Sequence, residues 1–108
     1  MRRSSTRRSS RMADEIMREL GRVIVRETQD PRLEFLTITG VRLNKDFSIA
    51  EILYTHYQGQ SKELDQSLEK AKGFFRTALG KNLKLRYVPE LRFVWDSFVQ
   101  EMVYDGKP

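Results

Sequence analysis

The sequence predicts an α+β fold, a single domain in which a three-stranded sheet carries helices on one face. Three observations lead to this prediction. Two long segments have apolar residues at helical spacing, three shorter segments alternate or are rich in β-branched and aromatic residues, and a short polar link joins the first two strands. The predicted order is helix, strand, strand, helix, glycine kink, helix, strand. A helical crossover would return the third strand parallel to its neighbour.

The first predicted helix starts at Met12 and ends near the TQDPRL segment, because proline disfavours helical geometry in the residue before it and has no amide hydrogen. Its polar side carries Arg18, Arg22 and Arg26, four residues apart. This ridge is either an ordinary salt-bridged surface or a surface that faces phosphates, and the sequence favours neither. The apolar residues follow at three- and four-residue steps and are Met12, Ile16, Leu20, Val23 and Ile24.

The first two strands, FLTITGVRLN and FSIAEILYTHY, are predicted to form an antiparallel hairpin around the polar link at residues 44–46. Leu36 and Ile38 point to one face of the first strand, whereas Val41 and Leu43 are out of phase with them. Gly40 lies where the phase slips. We therefore expect a β-bulge or a bend at this glycine.

The next helix begins after Ser61, whose side chain suits an N-cap, and its apolar stripe continues to Leu79. Gly73 interrupts the stripe's helix propensity without breaking its phase, at a cost of about 1 kcal/mol relative to alanine. A kink or a close packing contact would explain this glycine. The third strand follows, half-buried, with an apolar face formed by Leu91, Phe93 and Trp95.

The formal charge of +5 is unevenly distributed along the chain. Residues 1–11 carry five arginines and no acid, and residues 70–92 carry seven lysines and arginines against one acid. Such segregation is typical of a protein that binds a polyanion through one side. A charged surface that only maintains solubility is the alternative.

The Arg/Ser-rich opening, residues 1–11, has no apolar periodicity and is expected to be a flexible arm. A nucleic-acid arm is our first interpretation, and an organelle targeting peptide or a merely flexible end are the others. Residues 12–98 would form the folded domain, and residues 99–108 a short C-terminal tail.

Several classes of function lack the residues that they need. The chain has no cysteine, which excludes disulfides, thiol catalysis and thiolate metal sites. His56 is the only histidine and has no ligand cluster around it, so we expect no metal, no cofactor and no enzymatic activity. No apolar run could span a membrane and no secretion signal follows the first arginines, which favours a cytoplasmic protein.

Three stretches resemble the ribosome-binding factor A family, whose members have a type II KH fold and assist assembly of the small ribosomal subunit. The stretches are RMADEIMREL with VIVRETQDPRL, then LNKDFSIAEILYT, then KAKGFFRTALGKNLKLRYVPELRF. The resemblance is specific because DPRL at 30–33 and VPELRF at 88–93 occur together at this separation. It implies a protein that binds the 30S subunit and assists late 16S rRNA maturation.

The resemblance also implies how the protein contacts RNA. KH domains that grip single strands use a Gly-x-x-Gly loop between two helices, which this chain lacks. The family has an Ala-x-Gly kink there, represented here by Ala71, Lys72 and Gly73, so we expect Gly73 to bend two helices against each other. Docking would then depend on shape and phosphate charge more than on base reading.

The expected RNA-binding residues come from the arm, the first helix and the region around the kink. The expected partners are the 30S subunit and its 16S rRNA, with no membrane contact and a monomeric free protein. A KH-like RNA-binding module or a basic protein–protein adaptor acting off the ribosome is the alternative. The RNA-binding residues are predicted to be Arg7, Arg8, Arg11, Arg18, Arg22, Lys72, Arg76, Lys81, Lys84 and Arg86.

Overall fold

The structure, a computed structural model, describes residues 7–98. Strands β1 and β2 are antiparallel, and β2 and β3 are parallel, so that β2 lies in the centre of a three-stranded sheet. The predicted α+β class and the crossover to a parallel third strand are confirmed. The elements are α1 (Arg7–Arg26), a 3-10 turn (Pro31–Leu33), β1 (Leu36–Leu43), β2 (Ile49–His56), α2 (Lys62–Asn82) and β3 (Glu90–Trp95).

The core lies between the sheet and the two helices. In β2, Ala50, Ile52 and Tyr54 are buried against the helices, while the alternate residues are only half-buried on the opposite face. The helical stripes predicted from spacing are the ones that meet this face, because burying them removes apolar surface from water. From the helices the core contains Ile16, Leu20, Val23, Ile24, Leu64, Leu68, Phe75, Ala78 and Leu79.

Two local predictions about the strands and α2 are confirmed. The pairing register of β1 shifts between Ile38 and Gly40, which places a β-bulge at the predicted phase slip. The bulge lets both apolar pairs of β1 face the core despite their different phase. At the start of α2, the Ser61 hydroxyl accepts a hydrogen bond from the Leu64 amide at 3.0 Å, as expected of an N-cap.

The DPRL segment, residues 30–33, packs against α2. The Asp30 carboxylate accepts a hydrogen bond from the Arg32 amide at 2.9 Å and caps the 3-10 turn, and Leu33 is fully buried. His56 connects this turn to the sheet, since its Nε2 lies 3.0 Å from the Arg32 carbonyl oxygen and its Nδ1 accepts from the Gln58 amide at 3.1 Å. Both ring nitrogens therefore have structural partners.

The first helix begins at Arg7, five residues before the predicted start at Met12. Residues 7–11, which we expected to be flexible, are helical. Extending a helix that the buried stripe has already nucleated adds one hydrogen bond per residue, and arginine is a good helix former. Residues 1–6 and the predicted tail at 99–108 lie outside the described residues.

The two helices predicted to meet at Gly73 are one continuous helix, α2, which passes through Ala71 and Gly73 without interruption. No atom lies within 4 Å of the place where a Cβ on Gly73 would be, so close packing does not require this glycine either. The stripe from Leu64 to Leu79 stays in phase and is buried apart from Ala71, and its burial outweighs the local propensity cost. Ala71 is half-buried and packs against the core. Within residues 7–98, neither helix has the length and apolarity that crossing a membrane requires.

Candidate nucleic-acid interface

The hairpin turn at residues 44–48 holds Phe47 in an unusual backbone conformation. Its φ of 65° is in the left-handed region, which a large side chain rarely adopts. A compact set of hydrogen bonds maintains it: the Phe47 amide donates to the Asn44 carbonyl at 3.1 Å, and the Asn44 side chain accepts from the Ile49 amide at 2.9 Å. The Nδ2 of Asn44 also donates to the Ser48 hydroxyl at 2.9 Å. The turn therefore presents Phe47 at a defined position.

Asp46 stabilises the same turn. Its carboxylate accepts hydrogen bonds from the Ser48 hydroxyl at 2.7 Å and the Ser48 amide at 3.2 Å. These bonds hold the pKa of Asp46 below its usual value, so the carboxylate is ionised at neutral pH.

The segment that links α2 to β3, residues 83–89, is attached at two points. The Arg76 guanidinium donates to the carbonyl oxygens of Pro89 and Val88, at 3.1 and 3.0 Å. The Tyr87 hydroxyl donates to the Asp46 carbonyl oxygen at 2.6 Å and joins this segment to the hairpin turn. The linking segment is thus held against both α2 and the sheet.

The start of α1, the hairpin turn and the linking segment together enclose an open cleft of about 460 Å³, which we call the basic cleft. Four exposed cations line it, Arg8, Lys45, Lys84 and Arg86, with Asp46 as the one acid among its lining residues. Phe47 and Tyr87 are its aromatic lining residues, and its apolar lining residues are Met12, Ile16, Leu43, Leu85 and Pro89. A concave site with this charge balance attracts polyanions.

The basic cleft unites residues that are distant in sequence. Of the predicted RNA-binding residues it brings together Arg8, Lys84 and Arg86. Arg7 and Arg11 are exposed on the first turns of the same helix. The fold therefore brings the start of α1 next to the linking segment. In the sequence these two segments are separate basic runs.

Arg22 has a structural role that the sequence left open. Its guanidinium pairs with Glu19 at 2.7 Å and with Glu27 at 3.1 Å. Glu19 is buried and also accepts a hydrogen bond from the Asn82 side chain at 2.6 Å, which joins α1 to the end of α2. The Arg22 hydrogen bonds, opposed by burial and assisted by Asn82, hold the pKa of Glu19 below its usual value. Of the two interpretations of the arginine ridge on α1, the salt-bridged surface is therefore the one that applies to Arg22.

The remaining predicted cations do not line the cleft. Arg18 is exposed and lines a groove between α1 and β1, at one edge of the sheet. Lys72 and Arg76 lie near the start of β3, at the other edge of the sheet. Their charges, after the larger effect of Arg92, hold the pKa of Glu90 below its usual value. Lys72 is also paired with Glu69 at 3.0 Å. Lys81 is exposed on α2.

The fourth cation and the two aromatic residues of the cleft were not among the predicted site residues: Lys45, Phe47 and Tyr87. The polar link at 44–46 predicts only a turn, and Tyr87 is one aromatic residue in a basic segment. The only sequence pattern that pointed to Phe47 was weak: an aromatic residue directly after a short turn containing Asn and Asp. A large residue occupies such a position only with backbone strain. That strain is visible only in the backbone geometry.

Comparisons with known proteins find relatives in sequence and in fold. A curated ribosome-binding factor A from Nitrosospira multiformis is 40% identical over 98 residues, covering 89% of this chain and 78% of its own length. The crystal structure of ribosome-binding factor A from Thermus thermophilus superposes with a TM-score of 0.72 at 27% identity, over 81% of this chain and 93% of that one.

A second set of coordinates, a homology model of the Thermus thermophilus factor fitted into the cryo-EM map of a 30S–RbfA complex, gives a TM-score of 0.70 at 27% identity. It covers 82% of this chain and 96% of that chain. The family model described as ribosome-binding factor A matches residues 8–104. The chain therefore belongs to the ribosome-binding factor A family.

Proposed function

We propose that this protein binds the small (30S) ribosomal subunit and assists late maturation of 16S rRNA, acting by docking and without catalysis. Membership of the family supports the proposal, as does the relative that was fitted into a map of a 30S–RbfA complex. The observation that carries it for this chain is the basic cleft, in which cations from three segments converge on one concave surface.

Docking through the cleft would be driven by charge. Each lysine or arginine that neutralises a phosphate releases condensed counterions, which favours binding without any reading of base sequence. Lys84 and Arg86 are well suited to this role, because Arg76 and Tyr87 hold their segment in place and leave both side chains exposed. A cation on a fixed segment loses less conformational entropy on binding than one on a mobile segment.

The test reverses the charge of the cleft. In the double variant Lys84→Glu, Arg86→Glu, we expect affinity for purified 30S subunits to fall by about tenfold or more at moderate salt, measured by co-sedimentation through sucrose. The control is Lys62→Glu, which reverses one exposed cation at the other end of α2, about 30 Å away at 1.5 Å per residue. Acids are favourable in the first turn of a helix, so this control should fold and sediment like the unchanged protein.

Equal co-sedimentation of the double variant and the unchanged protein would show that the cleft is not the docking surface. Co-sedimentation that fails for the unchanged protein would contradict the proposed function itself. A partner that remains bound after ribonuclease treatment would favour the alternative of a protein–protein adaptor.

A further inference from the structure

We propose that the basic cleft holds a single unpaired nucleotide of the bound RNA, with the base on Phe47 and the phosphate among the surrounding cations. The inference deepens the proposed function and rests on it. It goes beyond charge attraction, because it requires the RNA to offer a nucleotide that is free to leave its stack.

The first argument is the shape and lining of the cleft. Its volume of about 460 Å³ lies in the range of sites that bind small ligands, and it is open to solvent along one side. The aromatic and apolar lining residues suit a planar base, whereas a row of phosphates along a paired duplex would need only a convex or flat cationic surface. Bases stack on aromatic side chains whatever their identity, since every base has a π-face.

The second argument is the position of Phe47. A large residue in the left-handed region is strained, and such strain persists only where the surrounding structure imposes it. Here the side-chain and backbone hydrogen bonds of the turn impose it. The strained backbone places an aromatic ring, half-buried, on the wall of the cleft instead of in the core.

The third argument is the contact that Phe47 already makes. The guanidinium carbon of Arg8 lies 5.8 Å from the centroid of its ring, within the range of a cation–π contact. A flat cationic group thus lies over the ring face on which a base would stack. Entry of a base would displace Arg8, which could then pair with the nucleotide's own phosphate beside Lys84 and Arg86.

The experiment compares two hairpin RNAs closed by the same non-nucleotide linker, one fully paired and one with a single bulged adenosine, and 5′-AMP as a free nucleotide. Binding is followed by amide resonances of the ¹⁵N-labelled full chain. We expect the bulged hairpin to bind about 5- to 100-fold more tightly than the paired one, with resonance shifts at residues 45–48 and 84–87. 5′-AMP should shift the same resonances at much higher concentration.

The decisive variant is Phe47→Asn, since asparagine tolerates the left-handed backbone and should leave the turn intact. It should remove the advantage of the bulged hairpin and leave binding of the paired hairpin unchanged. Phe47→Gly, which also relieves the strain, is a second variant in case the first does not fold. Phe35→Asn is the matched control, because Phe35 is an exposed phenylalanine far along the sheet, in contact with Tyr57.

Equal binding of both hairpins, or an advantage that survives in Phe47→Asn and Phe47→Gly, would overturn the inference. Shifts with 5′-AMP but no advantage for the bulged hairpin would assign the cleft to free nucleotides and overturn the RNA assignment. Co-sedimentation with 30S subunits separates this result from the proposed function: if the unchanged protein sediments and the hairpins bind equally, only the inference fails. If it does not sediment but the bulged hairpin is preferred, the nucleotide site stands and the proposed function fails.

Discussion

At the scale of single residues, Glu19 shows how one buried charge connects distant parts of the fold. It lies on the inner side of α1, and the Arg22 guanidinium and the Asn82 amide donate to it from two helices. A buried carboxylate without such donors would be strongly destabilising. Removing the Glu19 carboxylate would leave the Arg22 and Asn82 donors without their acceptor. We therefore expect such a change to weaken the contact between α1 and the end of α2.

The pKa of Glu19 gives this residue a predictable pH dependence. Because its pKa is lower in the folded protein than the ordinary value of 4.5, the unfolded chain binds more protons in acid, and Glu19 stabilises the fold above about pH 4.5. That stabilisation is lost as the pH falls through the folded-state pKa. In Glu19→Gln we expect the free energy of unfolding at pH 7 to fall by roughly 1–3 kcal/mol.

Urea denaturation followed by the fluorescence of Trp95, the only tryptophan, measures this effect at pH 7 and at pH 3. The difference between Glu19→Gln and the unchanged protein should shrink at pH 3, because the unfolded chain binds its proton first as the pH falls below the ordinary value of 4.5, which reduces the stabilisation by the Glu19 carboxylate. A constant difference at both pH values would mean that the contact with Arg22 and Asn82 contributes through packing and not through charge.

At the scale of elements, α2 is the clearest case of tertiary packing overriding local propensity. Its stripe from Leu64 to Leu79 covers the sheet, and its ends are held by the Ser61 cap and by the Asn82 bond to Glu19. A glycine in the middle weakens such a helix but does not divide it, since packing supplies most of the stability of a helix in a protein.

Gly73→Ala should therefore stabilise the protein by up to about 1 kcal/mol, because nothing lies near the added methyl group and alanine has the higher helix propensity. The matched control is Gly80→Ala in the same helix. Its added Cβ would lie 3.2 Å from the Val88 side chain, so the gain should be smaller or reversed. Thermal unfolding measures both. A loss of stability in Gly73→Ala would show that position 73 needs a conformation unlike that of α2.

At the scale of the whole molecule, the predicted cations lie in several places and only some of them line the basic cleft. The basic cleft lies where the start of α1 meets the hairpin turn, Arg18 lies at the β1 edge, and Lys72 and Arg76 lie near β3. Among these groups, the cleft is the one that combines several exposed cations with a concave surface. We therefore expect it to account for most of the salt dependence of binding.

If all four cleft cations contact phosphates, the plot of log affinity against log salt for 30S binding should have a slope of about −3 from the cleft alone. Replacing Lys45 and Lys84 by glutamine should reduce the magnitude of this slope by about 1.5, whereas Lys62→Gln should leave it unchanged. Fluorescence anisotropy with labelled protein at about 50–200 mM salt measures the slope, these salt concentrations being of the order at which phosphate contacts weaken. Equal slopes in all three proteins would assign the salt dependence to other surfaces.

Much of the fold could be predicted from the sequence because its determinants are local. The three-residue and four-residue steps of α1, the phase slip at Gly40 and the Ser61 cap each act within a few residues of chain, and each appears in the structure as expected. The start of α1 and the continuity of α2 were not predictable in this way. They depend on whether packing elsewhere compensates weak local propensity.

By itself the sequence determined the order of the elements, the faces that are buried, the excess of positive charge and the resemblance to a family, since all of these follow from residue type and spacing. Only the tertiary structure decided which cations lie together. Arg8, Lys45 and Lys84 lie far apart along the chain, and the packing of α1, the hairpin and the linking segment brings them to one cleft, while Arg22 and Arg76 are taken up by internal bonds. The physical reason is that charges interact through space, so a cationic site is formed by distances that no local pattern in the chain contains.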